Sequence, residues 1–257
     1  MRVDLAGKVA LITGATKGVG RNIALKLAEN GAGIAINARR PGPATEIIQQ
    51  IEAMGQKAVF EQADITDYQE VKRMIANVLQ RLEKIDILVV SGGATEELKP
   101  NFFHGINPDD YMVYVKGQWL SRLYCARAVL DHMIERKSGK IIFLGTDGGR
   151  WPTPGESIAG GVGAALVMST KVLAKEFARW QIRVNAICIT VTQDTPGLDW
   201  ALRDSPAAKI FQKALKQQPF PVTSDDVAEA ILFFASSESD QITGQILSVN
   251  GGLSFPG

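Results

Sequence analysis

The chain alternates short β-branched apolar runs with longer stretches of helical period, and this alternation restricts the fold more than any other feature. Runs at 8–13 (KVALIT), 33–38 (GIAINA), 57–61 (KAVFE), 86–91 (DILVVS), 139–145 (GKIIFLG), 182–189 (IRVNAICI) and 245–249 (QILSV) read as strands. Stretches 19–30, 43–54, 67–82, 108–136, 157–179 and 224–236 read as helices, with Thr66 and either Thr223 or Ser224 as N-caps. Such alternation builds βαβ units around a parallel sheet. Several strands are apolar almost throughout, as expected where helices cover both faces. The expected fold is a doubly wound α/β domain with a parallel seven-stranded sheet, one domain over 1–257. A chain of 257 residues, 46% of them hydrophobic, can bury one large core of this kind. Segments 92–107, 146–156 and 190–222 read as loops. The last, with Pro196, Pro219 and Pro221, is long enough to cover a crevice at the carboxyl ends of the strands.

Charge and composition exclude several roles. The net charge of +1, without a block of like charges, argues against nucleic acid as a main partner. Mean hydropathy is near zero, and no apolar run reads as a membrane span. Asp4 precedes the first apolar run, unlike a secretory signal, so a cytoplasmic location is expected. Cys125 and Cys188 lie in apolar stretches and read as buried thiols. With only His104 and His132 beside them, both read as surface residues, no metal site is expected.

The first strand runs into Thr13-Gly14-Ala15-Thr16-Lys17-Gly18-Val19-Gly20 and then a helix. A glycine-rich strand-to-helix turn lets a pyrophosphate approach backbone amides at a helix N-terminus. The same glycines also suit a tight turn and close packing without any ligand. The second strand ends Asn37-Ala38-Arg39-Arg40 and offers no acid for the ribose hydroxyl of NAD. Arg39 and Lys17 could meet the 2′-phosphate of NADP, or be solvated loop charges.

With Gly14, Gly18 and Gly20 in a TGxxxGxG pattern, Asp64-Ile65 after the third strand, Asn185 in IRVNAI and the C-terminal GQILSVNGG, the chain resembles the short-chain dehydrogenase/reductase family over essentially its whole length. The resemblance implies a Rossmann-type fold. It also implies that NADP or NAD, if bound, would contact Gly14, Lys17, Gly18, Val19, Gly20, Arg39, Asp64 and Ile65.

The resemblance further implies a proton relay of serine, tyrosine, lysine and asparagine, and here the chain departs from it. The serine position is Thr146, the tyrosine position Ala159, the lysine position Gly163 and the asparagine position Gln118. Thr146 could hold a carbonyl and Gln118 a water, but alanine and glycine donate no proton and tune no pKa. Tyr68, Tyr111, Tyr114 and Tyr124 all precede the fifth strand, so no shift of register restores the tyrosine. Lys171 and Lys175 lie two or more helical turns beyond the lysine position. The segment after the fourth strand reads Val90-Ser91-Gly92-Gly93 instead of NNAG, and Ile189-Thr190 replaces the usual Pro-Gly. Gly160, Gly161 and Gly163 crowd the start of one helix and read as close-packing residues, with space for a ligand as the alternative.

Losses thus gather on the nicotinamide and substrate side. The reading that follows is a non-catalytic subunit, with no cofactor bound productively. Its partner would be a homologous active subunit in a hetero-oligomer, expected as a tetramer, of a hydroxyacyl-CoA-type NAD(P)-dependent dehydrogenase. The tail GQILSVNGGLSFPG resembles dehydrogenases of cyclic or aromatic acyl-CoA substrates. Two alternatives stand beside it. One is an NADP-dependent oxidoreductase with a displaced relay drawn from Thr146, Asp147, Glu156 and Ser157. The other is a non-redox cyclase, dehydratase or isomerase using Asp147, Arg150, Glu156 and Ser157.

Overall fold

The computed structural model describes residues 3–93, 99–203 and 205–256. Seven parallel strands form one sheet in the order β3-β2-β1-β4-β5-β6-β7. They are β1 (Val9–Thr13), β2 (Gly33–Ala38), β3 (Ala58–Gln62), β4 (Ile87–Val90), β5 (Gly139–Thr146), β6 (Ile182–Ile189) and β7 (Ile246–Val249). The order reverses between β1 and β4, which opens a crevice at their carboxyl ends.

Strand alternation divides the core in two. Ala10 and Ile12 of β1 face helices α1 (Gly18–Glu29), α2 (Ala44–Ala53) and α9 (Ser224–Ala235), through Ile23, Leu27, Ile47 and Ile231. Val9 and Leu11 face the other layer, α3 (Tyr68–Leu82), α5 (Ser121–Arg136) and α6 (Ser157–Phe177), through Val78, Val129 and Leu166. Thr223 caps α9 in a reciprocal box with Asp226. At α3 the cap is Asp67 instead of the expected Thr66, because its carboxylate reaches the amides of Gln69 and Glu70. Cys125 and Cys188 are buried.

Three expectations need correction. The helix expected over 108–136 is interrupted: α4 (Tyr111–Val115) passes through a π-helical turn at Lys116–Leu120 before α5 begins. One extra residue in that turn frees the Gly117 carbonyl, which accepts hydrogen bonds from Ser121 and the buried Arg122. The segment 190–222 is no open loop, since it holds α7 (Pro196–Arg203) and α8 (Ala208–Gln217), packed through Val191, Ala201, Ala207 and Phe211. Its prolines had masked the amphipathic spacing. Finally, Ser157–Trp180 is long and apolar enough to cross a membrane by length and composition. One side of it, including Val162, Leu166, Thr170 and Phe177, is buried in this fold.

His132 also does more than face solvent. Its Nε2 accepts a hydrogen bond from the Ile85 amide at 3.2 Å and so fastens α5 to the entry of β4.

Candidate functional site

The glycine-rich turn closes on the end of β4. Gly14 and Gly18 have φ of +63° and +54°, left-handed values that favour glycine. A Cβ on Gly14 would stand 2.6 Å from Gly92 Cα, and one on Gly20 would be 2.7 Å from the Ser91 hydroxyl. That hydroxyl donates to the Thr13 carbonyl at 2.5 Å, while Thr13 Oγ1 accepts from the Gly92 amide at 3.2 Å. The first and third glycines therefore serve the tight turn and the helix–strand contact. The second, Gly18, is where a bound pyrophosphate would approach the backbone. Pro196 Cδ lies 3.2 Å from its Cβ position, and the Lys17 ammonium sits over the Trp200 ring at 5.3 Å. Lys17 is thus occupied by an aromatic ring, whereas Arg39 at the end of β2 is exposed.

At the adenine end, Asp64 Oδ1 accepts from the Thr66 amide and hydroxyl at 2.9 and 2.8 Å. Ile65 is buried next to Gly92, and Val19 is buried in α1. The adenine-side residues fit a dinucleotide. Gly18 is half-buried beside Pro196 of α7, and Lys17 is exposed. Asn185 spans β6 and the approach to β7, accepting from the Gln245 amide and donating to the Ile242 carbonyl.

At the carboxyl ends of β4 and β5 lies a second feature, a cavity of about 80 Å³ lined by Tyr114, Gln118, Thr146, Glu156 and Ala159, with Pro100 and Ile106. Ala159 and Ile158 pack against a small cluster formed by the buried Tyr114 and Val162. Spacing of four residues on one helix puts Tyr114 and Gln118 on a common face, and this was the available sign that a tyrosine enters the site from another element. Its hydroxyl donates to the Lys99 carbonyl at 3.3 Å. Burial pushes the Tyr114 pKa up, and the charges of Asp110 and Glu156 add to the effect.

Glu156 is partly buried, with its carboxyl end packed on Gly148 beside Thr146. Enclosure pushes its pKa up to about 7, the Thr146 hydroxyl opposes the shift and Asp147 adds to it.

Around Gly163, where the resemblance implies a lysine, backbone packs closely. A Cβ on Gly163 would lie 2.9 Å from Thr146 Cγ2 and 3.1 Å from Gly149 Cα. A Cβ on Gly160 would lie 2.6 Å from the Gly148 carbonyl, and one on Gly149 would be 2.6 Å from the Ala164 amide. The turn Asp147–Gly149 rests directly on α6. The crowded glycines thus pack against this turn, except Gly161, whose Cβ would meet nothing within 4 Å.

The other polar candidates do not gather here. Asp147 is buried away from the cavity, accepting from Ser248 Oγ (2.5 Å), Asn250 Nδ2 (2.6 Å) and Ser254 Oγ (3.2 Å). Arg150 donates to Ser248 Oγ and the Pro256 carbonyl. Both tie the C-terminal segment to the turn after β5, which removes two members of the set proposed for non-redox chemistry. Ser157 is exposed at the start of α6, and Lys171 and Lys175 are exposed further along it.

Comparison with known proteins agrees with this architecture. A family model described as short chain dehydrogenase matches residues 8–204. The chain belongs to the short-chain dehydrogenase/reductase family. It is 32% identical over 249 residues to 3-oxoacyl-[acyl-carrier-protein] reductase FabG of Staphylococcus epidermidis, covering 96% of this chain and 98% of the relative. It is 28% identical over 259 residues to 2,3-dihydro-2,3-dihydroxybenzoate dehydrogenase of Bacillus subtilis, covering 98% and 97%. A crystal structure of a 3-oxoacyl-[acyl-carrier protein] reductase with bound NAD from Brucella melitensis superposes with a TM-score of 0.86 at 24% identity, over 99% of this chain and 94% of that one, a likeness of fold. The parallel sheet of the family is present among the described residues.

Proposed function

We propose that this short-chain dehydrogenase/reductase chain is a non-catalytic subunit that pairs with a homologous active subunit in an NAD(P)-dependent dehydrogenase of hydroxyacyl thioesters. One observation carries the reading: the lysine position is closed by packing as well as emptied by sequence. Any side chain at Gly163 would run into Thr146 and Gly149. The cavity beside it, at about 80 Å³, is far below the roughly 300–1,000 Å³ of ordinary ligand pockets. Relatives named as 3-oxoacyl-[acyl-carrier-protein] reductases favour an acyl thioester as the substrate of the assembly. The finest form of the reading is the degenerate subunit of 2-[hydroxy(phenyl)methyl]succinyl-CoA dehydrogenase, supported by the pattern of loss and by the C-terminal GQILSVNGGLSFPG. Assay of the purified chain with NADPH or NADH and a panel of 3-oxoacyl thioesters should give no turnover above background. Turnover proportional to its concentration would refute the reading.

A second reading rests on Glu156 and Tyr114. A carboxyl with a pKa near 7, in the same cavity as a buried tyrosine, Gln118 and Thr146, is suited to hold a proton near neutral pH. The displaced relay then contains Glu156, Thr146 and Tyr114, without Asp147 or Ser157. If turnover is found, it should fall at least a hundredfold in Glu156→Gln. Unchanged turnover there would remove this alternative.

A further inference from the structure

We infer that Arg122 is a positioning residue: its guanidinium ties the π-helical turn to β5 and so fixes the angle at which Tyr114 and Gln118 enter the cavity beside Thr146. Arg122 is only 6% exposed, and burial pushes its pKa down to about 10. A buried cation needs partners that offset its lost hydration. Those that hold Arg122 are two backbone carbonyls and one hydroxyl. Nη1 donates to the Gly117 carbonyl at 2.5 Å and to Ser121 Oγ at 3.0 Å, and Nη2 donates to the Leu144 carbonyl at 3.3 Å. Nε has no partner among the described residues, so the outer fork sets where the group points.

Both carbonyls lie where a regular ladder stops. The extra residue of the turn Lys116–Leu120 frees Gly117 from the helical pattern. Leu144 stands one residue beyond the last β4–β5 pair, Val90 with Phe143. One guanidinium therefore bridges a break in a helix and the end of a strand pair. A planar fork spans two such acceptors, whereas a compact ammonium meets them as a single point. The end of β4 is shaped to the same group. Gly93 has φ of +103°, and a Cβ there would lie 2.6 Å from Arg122 Nη1 and would also strike the Gly117 carbonyl.

The anchor points adjoin the cavity, although Arg122 itself does not line it. Gln118 follows Gly117 directly, and Thr146 ends β5 two residues after Leu144. Tyr114 lies on α4, across the π-helical turn from α5. An ordinary α-helix through that turn would rotate α4 by about 100° relative to α5, the angle of one residue, and would carry Tyr114 off the cavity. The turn is held from its other side too, since the Trp119 indole donates to Ser169 Oγ of α6 at 3.0 Å. Arg122 has this role equally in a non-catalytic subunit and in a relay through Glu156.

Tyr114 reports its own enclosure, because burial and the charges of Asp110 and Glu156 raise its pKa above the ordinary value. NMR titration of the full chain carrying ring-labelled tyrosine, with the signal assigned through Tyr114→Phe, follows that midpoint. In Arg122→Met the turn loses its anchor, and the midpoint should fall back to about 10. Arg122→Lys, which reaches one carbonyl without spanning two, should lower it by less. Val129→Ala shortens a buried side chain of α5 away from the cavity, and should destabilise the chain without moving the midpoint. A midpoint like that of the parent in folded Arg122→Met overturns the inference, as does an equal fall in Val129→Ala. If Arg122→Met does not fold, Arg122→Lys decides, and an unchanged midpoint there overturns it. Turnover is not measured, so failure here is read separately from failure of the proposed function.

Discussion

Two glycine-rich regions of this molecule use the same residue for different physical ends. In the turn after β1, Gly14 and Gly18 are required by conformation, with φ in the left-handed region. Where the turn after β5 meets α6, Gly148, Gly149, Gly160 and Gly163 keep ordinary φ values and are required by proximity. The first region preserves a family device. The second, on the reading proposed above, stands where the family's lysine would be and packs that space. Loss of a catalytic side chain by simple substitution leaves a vacancy that one reversion can refill. Here the turn after β5 packs against α6, so a side chain at Gly163 would meet Thr146 and Gly149.

This contrast can be broken at several points. The largest effect is expected from Gly149→Ala, whose Cβ would press on the backbone of Gly163 and Ala164. A loss of about 3 kcal/mol or more is expected, seen as a fall in Tm of about 6–12 °C. A fall of less than a degree would mean that the turn can lift off α6 freely.

Next comes the charge of Glu156, which is hydrogen-bonded by Thr146 and acts through charge on Asp147 and Tyr114. Its pKa rises from the usual 4.5 to about 7 on folding, so the native state binds more protons than the unfolded chain between those values. Stability from this group is present at low pH and is lost as pH rises through that window, by at most about 3 kcal/mol. Denaturant melts of the parent and Glu156→Gln at pH 5 and pH 8 should show the parent losing more stability with rising pH. Parallel behaviour of the two proteins would place the carboxylate in water.

The smallest effects distinguish neighbours on one helix. Gly163→Ala should cost about 1–2 kcal/mol through contact with Thr146 and Gly149. Gly161→Ala, with open space around its Cβ position, should stabilise by up to about 1 kcal/mol through helix propensity. Equal effects at the two positions would contradict the packing account.

Much of this was legible in the sequence because it follows from local rules. Strand periodicity indicated the sheet, and the hydroxyl residues Thr223 and Ser224 marked the start of α9, where Thr223 is the cap. The relay positions assigned from the resemblance rest on the strands and helices that flank them. What escaped depended on contacts between distant segments. Tyr114 reaches the cavity from α4, and linear order had set it aside. Asp147 and Arg150 looked available until Ser248, Asn250 and Ser254 came back from the end of the chain to bind them. The helices within 190–222 were hidden by prolines, although Pro196 begins a helix, where its missing amide costs nothing. The engagement of Lys17 by Trp200 joins residues far apart in sequence and left no local trace.

The most direct test of the central claim is native mass spectrometry of the protein isolated from its own cells. The account predicts a hetero-oligomer in which this chain accompanies a second short-chain dehydrogenase/reductase chain that retains its tyrosine and lysine, with dehydrogenase activity residing in the complex. A homo-oligomer of this chain alone that turns over NADP(H) would contradict it.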